Sequence, residues 1–466
     1  MTRTAVINVV GLSESLLGPH TPRINAFRAA GALSRIEPAF PAVTCTAQSN
    51  YLTGQAPSQH GIVGNGWYNR ELAEVQFWKQ SNRVVAGKKL WETLRETNPS
   101  FTCAKLFWWY NMYSTADWSI TPRPMYPADG RKFFDIYAWP YSIRDEIKRE
   151  LGEFPFPAFW GPAAGLDSLR FAADAVSRWI AESAKWIERK YAPTLNLVYL
   201  PHLDYNLQRL GPNHPTIPSD LRRIDAIVGD LIEFFSKQSV QVVLLSEYGI
   251  SAVDTPVHLN RLFRERGWLT IKEELGLELL DCGASKVFAV ADHQVAHIYL
   301  SDSSLESDVR VLLEKQPGIG EVWGAAEKQA HGIDHPRAGD LIAVAAERAW
   351  FTYYYWLDDQ RAPDFARTVD IHRKPGYDPG ELFLDPAIPR VKARIAWRLL
   401  QKKLGFRMLM DVVPLDAGLV KGSHGGRPAS GREWPVCISG RPDLLPAEPI
   451  ASTAIRDLLQ RHLQGA

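Results

Sequence analysis

Short, largely apolar runs rich in β-branched residues recur along the chain and constrain its fold more than any other feature. They cover residues 5–10, 195–200, 240–245, 295–300 and 341–345, each bounded by polar residues or glycine. Between several of them lie helical patterns. Residues 167–191 carry apolar side chains at Leu169, Ala172, Ala173, Val176, Trp179, Ile180, Ala184 and Ile187, and residues 217–237 read the same way. Runs that are apolar on both faces, alternating with amphipathic helices, predict an α/β fold with a mostly parallel central sheet covered on both sides. In such sheets function gathers at the C-terminal ends of the strands.

Two stretches interrupt the alternation. Residues 98–162 are rich in Trp, Tyr, Phe and Pro, and residues 351–415 contain a helix-like segment, 389–410. Both read as insertions that form a cap on a core made of 1–97, 163–350 and 416–466. From Arg390 to Arg407 there are seven basic residues and no acidic one, with Val391, Ile395, Leu399 and Leu400 at near-helical spacing. This is either a solvated basic face or a contact with a membrane surface or a protein. The chain as a whole is balanced, 53 Lys+Arg against 52 Asp+Glu, so the cationic surplus of a nucleic-acid binder is missing and no duplex partner is expected. Four scattered cysteines without a Cys-x-x-Cys pair, a first apolar stretch too short for a signal peptide and no apolar window long enough to span a bilayer make a cytoplasmic protein the expectation.

The segment richest in chemistry runs Phe40-Pro-Ala-Val-Thr-Cys-Thr-Ala-Gln-Ser-Asn-Tyr-Leu-Thr-Gly54 and continues to His60-Gly-Ile-Val-Gly-Asn65. A cluster of hydroxyls opens a helix after an extended Phe-Pro-Ala-Val. Thr44 stands at the helix start, where free backbone N–H groups favour an anion. It is therefore either a phosphate-facing nucleophile or a plain N-cap.

The segment resembles the nucleophile region of the type I phosphodiesterase/nucleotide pyrophosphatase branch of the alkaline phosphatase superfamily. That pattern is Pro-x-x-Thr, a helix, Thr-Gly, then His-Gly-Ile-x-Gly-Asn, and Pro41, Thr44, Thr53, Gly54 and residues 60–65 match it in order and spacing. Residues 198–212, with Asp204 before a Gly-Pro, are similar to the strand that leads into the family's Asp-x-x-x-His. Residues 242–250 resemble the strand ending Ser-Asp-His-Gly-Met, and Lys421-Gly-Ser-His424-Gly-Gly resembles the closing Ser-His-Gly of phosphonoacetate-hydrolase-like members. The resemblance covers 4–250 and resumes over 330–441. It implies an alkaline-phosphatase-like three-layer core, Thr44 as covalent nucleophile and His60 in a structural turn behind the site, with Asn65 as a site contact.

Family members hold two divalent ions, usually zinc, which neutralise a phosphoryl group and lower the nucleophile's pKa. The resemblance maps Asp204, Glu247 and His424 to metal ligands. Elsewhere the pattern departs: Val10 stands at the first Asp position, Gln208 and Tyr248 at two His positions, and Glu247 itself replaces an Asp. With fewer imidazoles and one carboxylate gone, the set favours Mg²⁺ or Mn²⁺ over Zn²⁺, one ion over two, or none. Gln208 and Tyr248 remain candidate site contacts.

Asp292, His293 and His297, and His331 with His335, are further polar candidates. A spacing of four shares a face in a helix and in a strand alike, so metal contact and satisfied structural histidine both stay open. A match to the family's Gly-Asp-Leu at Gly339-Asp340-Leu341 favours His331 and His335 as site contacts. The aromatic run 107–112 reads as a stacking platform or as buried cap core. Residues 372–378 superficially resemble a His-Gly-Tyr-Asp element, with Pro375 where its His would be. The implied function is a metal-assisted hydrolase of a phosphate ester, phosphodiester or pyrophosphate bond in a small phosphorylated substrate, through Thr44. The alternative is a binding or assembly protein that keeps the fold without the catalysis.

Overall fold

A computed structural model describes residues 1–129, 131–164 and 172–465. Among these, nine strands form one central sheet. In chain order its strands are β1 (Thr4–Val9), β2 (Ala32–Glu37), β3 (Cys103–Leu106), β4 (Trp118–Pro122), β5 (Ile136–Trp139), β6 (Leu195–Leu200) and β7 (Gln241–Leu245). A second, four-stranded sheet follows with β8 (Val287–Asp292), β9 (Val295–Leu300), β10 (Ile319–Trp323) and β11 (Leu341–Ala345), and the chain then returns to the first sheet through β12 (Val436–Ser439) and β13 (Ile450–Ala451). The spatial order of the large sheet is β13-β2-β12-β7-β1-β6-β3-β4-β5.

β1 lies at the centre, parallel to β6 on one side and β7 on the other. All six of its residues are buried, as are those of β6, which is why both read as runs without alternation. Helices α1 (Thr44–Thr53), α2 (Ala175–Tyr191), α3 (His202–Leu210) and α4 (Ile217–Lys237) cover the sheet. The apolar stripe of α4, from Leu221 through Ile224 and Val228 to Phe235, joins the same core as β1 and β7. This is the expected α/β architecture, with helices flanking a large, mostly parallel sheet.

Four expectations need correction. Residues 98–162, read as a cap insertion, supply β3, β4 and β5 to one edge of the central sheet. Their strands are four or five residues long and sit among prolines and aromatics that mask a period of two. Residues 295–300 and 341–345, read as strands of the parallel sheet, belong instead to the second sheet, whose pairs are antiparallel. A short apolar run reports burial and does not report which sheet buries it. The helix expected over 167–191 begins at Ala175, and its first part, 167–171, lies outside the described residues. Within 351–415 the helix is α5 (Val391–Lys403), shorter than the expected 389–410. Among the described residues no helix is long and apolar enough to cross a membrane.

Candidate active site

The strand ends β1, β6 and β7 and the head of α1 converge on a small cavity of about 60 Å³. α1 starts after the extended residue Val43, which is its N-cap, so Thr44 is the first helical residue and its hydroxyl is not spent on capping. The side chain is buried, and its Oγ1 lies 3.3 Å from the Tyr248 hydroxyl. Tyr248 in turn donates to Asp204 Oδ1 at 3.3 Å, so Thr44 is the donor to Tyr248. Asp204 sits in the first turn of α3, four residues past the end of β6, and its other oxygen accepts from Gln208 Nε2 at 2.7 Å. Gln208 is fixed from the far side by the Tyr377 hydroxyl at 2.7 Å.

Glu247 follows β7 and is fully buried. Its Oε1 accepts from Asn8 Nδ2 at 2.6 Å and from Gln48 Nε2 at 2.5 Å. Burial pushes Asp204 up to about 7, against the hydrogen bonds from Gln208 and Tyr248. Burial likewise pushes Glu247 up to about 8, opposed by Gln48, Asn8 and Thr44. The phenol of Tyr248 is held well above its ordinary value by burial and by the two nearby acids, so it stays protonated.

His424 donates from Nδ1 to Ala42 O at 2.7 Å and stacks on Tyr248 at 3.6 Å between ring centres. On its other side lies His293, 3.7 Å away, which stacks on Tyr377 at 3.5 Å and donates from Nδ1 to Asp292 at 2.8 Å. Both imidazoles line the cavity, and the Nε2 of each has no partner among the described residues. Burial drives both well below the ordinary histidine range, so they are neutral acceptors. Asn65 bridges the two sheets. Its Oδ1 accepts from Cys45 N at 3.1 Å, and its backbone and side-chain N–H groups donate to Asp292 at 2.7 and 3.1 Å.

Thr44, Asn65, Asp204, Gln208, Tyr248 and His424 thus share one cavity wall, and Glu247 joins them through its place beside Thr44. His331 and His335 do not. His331 stacks on Trp323 at 4.0 Å in a separate cleft, and His335 accepts from Arg337 N near the Gly61 turn. His293 and His297 also part company: β8 ends at Asp292 and β9 begins at Val295, so the pair straddles a hairpin turn rather than one strand. His297 is turned to the back of the site, between Val63 O and Gly339 N. His293, with a positive φ of 62°, is left in the cavity. The signal was present as Asp-His-Gln between two apolar runs, which reads as a turn. The cavity walls are otherwise aromatic, with Trp78, Trp109, Trp160 and Tyr377 prominent.

The chain matches the model of the type I phosphodiesterase / nucleotide pyrophosphatase family over residues 4–378. The chain belongs to this family. A curated pyrophosphatase/phosphodiesterase of Schizosaccharomyces pombe, itself uncharacterised, is 24% identical over 230 residues, which are 48% of this chain and 39% of the relative. The chain therefore spans about two-fifths of that relative's length. Among solved structures, murine ectonucleotide pyrophosphatase / phosphodiesterase 5, an inactive variant in complex with AMP, is 14% identical with a TM-score of 0.59, covering 100% of this chain and 95% of that one. Phosphonoacetate hydrolase from Sinorhizobium meliloti, in complex with phosphonoformate, is 14% identical with a TM-score of 0.62, covering 99% and 96%. These likenesses are to the fold.

The family is typically dependent on divalent metal, and the residues here do not fit a dinuclear centre. Val10 offers no donor atom. Asp204 is engaged on both oxygens by hydrogen-bond donors, Gln208 and Tyr248, which stand where imidazoles would be. Among the described residues no group of three or more His, Cys, Asp or Glu side chains is placed to hold an ion.

Proposed function

We propose that the protein hydrolyses a phosphate ester, phosphodiester or pyrophosphate bond of a small phosphorylated substrate, with Thr44 as nucleophile. The observation that carries this reading is the buried chain of hydroxyls from Thr44 through Tyr248 to the Asp204 carboxylate. As Thr44 Oγ1 bonds to phosphorus, its proton passes to Tyr248 and the phenol's own proton passes to Asp204, which therefore acts as base through the tyrosine. The leaving group departs with its bonding electrons. Water then attacks the phospho-threonine and the bond from phosphorus to Thr44 Oγ1 breaks; the proton stored on Asp204 returns through Tyr248 to Thr44, and the proton lost by water balances the leaving group that departed as an anion. The positive end of the α1 dipole lies at Thr44, where charge develops. This proton path uses the side chains of Thr44, Tyr248 and Asp204 alone.

A second reading, a binding protein that keeps the fold without catalysis, is favoured by the lining. Among the described residues that form it there is no Lys or Arg, and the two imidazoles present acceptors rather than charge. The four cysteines, all free and three of them buried, fit a reducing, cytoplasmic setting for either reading.

The test is turnover of bis-p-nitrophenyl phosphate and p-nitrophenyl phosphate, with EDTA and with Zn²⁺, Mn²⁺ or Mg²⁺ in turn. Thr44→Ala is expected to lower the rate at least about 10³-fold with the thermal midpoint unchanged, and Thr44→Ser to retain part of it. An unaltered rate in Thr44→Ala would exclude the covalent route. Absence of turnover in the wild type under every condition would transfer the assignment to the binding protein.

A further inference from the structure

A helix on a protein surface normally turns its apolar stripe inward and its charges outward. Helix α5 does the reverse. Its half-buried side carries Arg394, Arg398 and Gln401 beside Val391 and Ile395, while Ala393, Ala396, Trp397, Leu399 and Leu400 are exposed. Trp397 is 58% exposed, and the chain continues through Leu404 and Phe406 at 63% and 65%. Asp411 sets this roll. Its carboxylate pairs with both Arg394 and Arg398, the latter at 3.2 Å, and so draws the arginine side of the helix against the protein.

The charges that remain have no such partner. Arg390, Lys392, Lys402, Lys403 and Arg407 form no ion pair among the described residues, and no acidic residue lies between them. Met125 and Phe133, joined by an antiparallel bridge, are exposed as well, as are their neighbours Tyr126 and Phe134. Lys132, next to Phe133, lies within electrostatic reach of Lys402 at the end of the helix.

We propose that this face docks on a lipid bilayer that carries anionic headgroups. Trp397, Leu400, Leu404 and Phe406 enter the boundary between headgroups and acyl chains, and Lys392, Lys402, Lys403 and Arg407 meet the lipid phosphates. Charge complementarity selects the anionic surface. The outward arc selects lipid over an acidic protein, because it offers leucines, snorkelling lysines and a tryptophan suited to the headgroup boundary, and no Ser, Thr, Asn or Gln to specify a protein groove.

The experiment is co-sedimentation of the full chain with vesicles of phosphatidylcholine alone or with one third phosphatidylglycerol. Binding to the anionic vesicles is expected to exceed binding to the neutral ones at least about tenfold and to weaken in high salt. Lys392→Glu and Lys403→Glu should each weaken it about fivefold or more. Leu400→Glu with Leu404→Glu should abolish it, at an unchanged thermal midpoint because both side chains are exposed. Failure of the wild type to sediment with either vesicle overturns the proposal, as does binding that these variants leave intact. A dimer in sedimentation equilibrium that Leu400→Glu dissociates would assign the face to a second copy and overturn it equally. No turnover is read, so the outcome is independent of the hydrolase reading.

Discussion

The two halves of the cavity differ in kind. The half built by residues 40–65 keeps the family's pattern: Thr44 heads its helix, and Asn65 is tied to Cys45 on one side and Asp292 on the other. The half built from the strand ends is rewritten at Val10, Gln208, Glu247 and Tyr248. These replacements are not loose remnants of a ligand set. Gln208 and Tyr248 bond to Asp204, Tyr377 bonds to Gln208, and Asn8 with Gln48 bonds to Glu247. Burying an acid is costly unless it is hydrogen-bonded or neutralised, and burial pushes Asp204 up to about 7 and Glu247 up to about 8 against these hydrogen bonds. The difference teaches that the side chains at the strand ends form a hydrogen-bonded network of their own around the two buried acids.

If the rewritten half relays the proton, Tyr248→Phe should cut turnover about 10²-fold while leaving the stack on His424 in place. The phenyl ring keeps the packing and loses only the hydroxyl that links Thr44 to Asp204. A rate unchanged in Tyr248→Phe would reduce this half of the cavity to packing and break the comparison. Gln208→His approaches the same contrast from the other side. It sets an imidazole beside Asp204 and His424, and elemental analysis of the purified variant is expected to show about one bound zinc where the wild type binds less. A variant no richer in zinc than the wild type would show that the cavity has lost more than its ligands.

Much of the cavity was legible before the fold. The order and spacing of the motifs bring Asp204, Gln208 and Tyr248 after strands of the central sheet and Thr44 to the head of the helix packed on it, while Asn65 and His424 reach the same cavity from loops outside that sheet. What escaped depends on tertiary context. β3 to β5 hide in an aromatic stretch, where ring size and proline obscure alternation. β9 and β11 look like parallel strands because apolar content reports burial alone. His293 enters the cavity only because the turn between β8 and β9 folds it away from His297, and His331 leaves it because Trp323 takes its ring. Apart from the Asp-His-Gln turn at His293, none of these is encoded within a window of ten residues.

The smallest expected effect separates the halves by their response to acid. His297 holds the turn that carries Asn65 by donating from Nε2 to Val63 O at 2.9 Å and accepting from Gly339 N at 3.1 Å, so its ring must be neutral. Burial pushes it down to about 4. The unfolded chain takes up this proton near the ordinary histidine value, about 6.5, and the folded chain only near 4. Between these values the unfolded state binds more protons, and stability falls as the pH is lowered, by about 1.4 kcal/mol per unit. Asp204 has the opposite sign. Its folded value, about 7, lies above the unfolded 3.8, so acidification through that window adds stability. The total curve mixes both, and His297→Gln isolates the first. The gap in thermal midpoint between wild type and variant should be widest near pH 7 and close as the pH falls toward 4.5. A gap that is flat across this range would show that His297 does not lock the Asn65 turn as a neutral ring, and the preserved half would then owe its geometry to Asp292 alone.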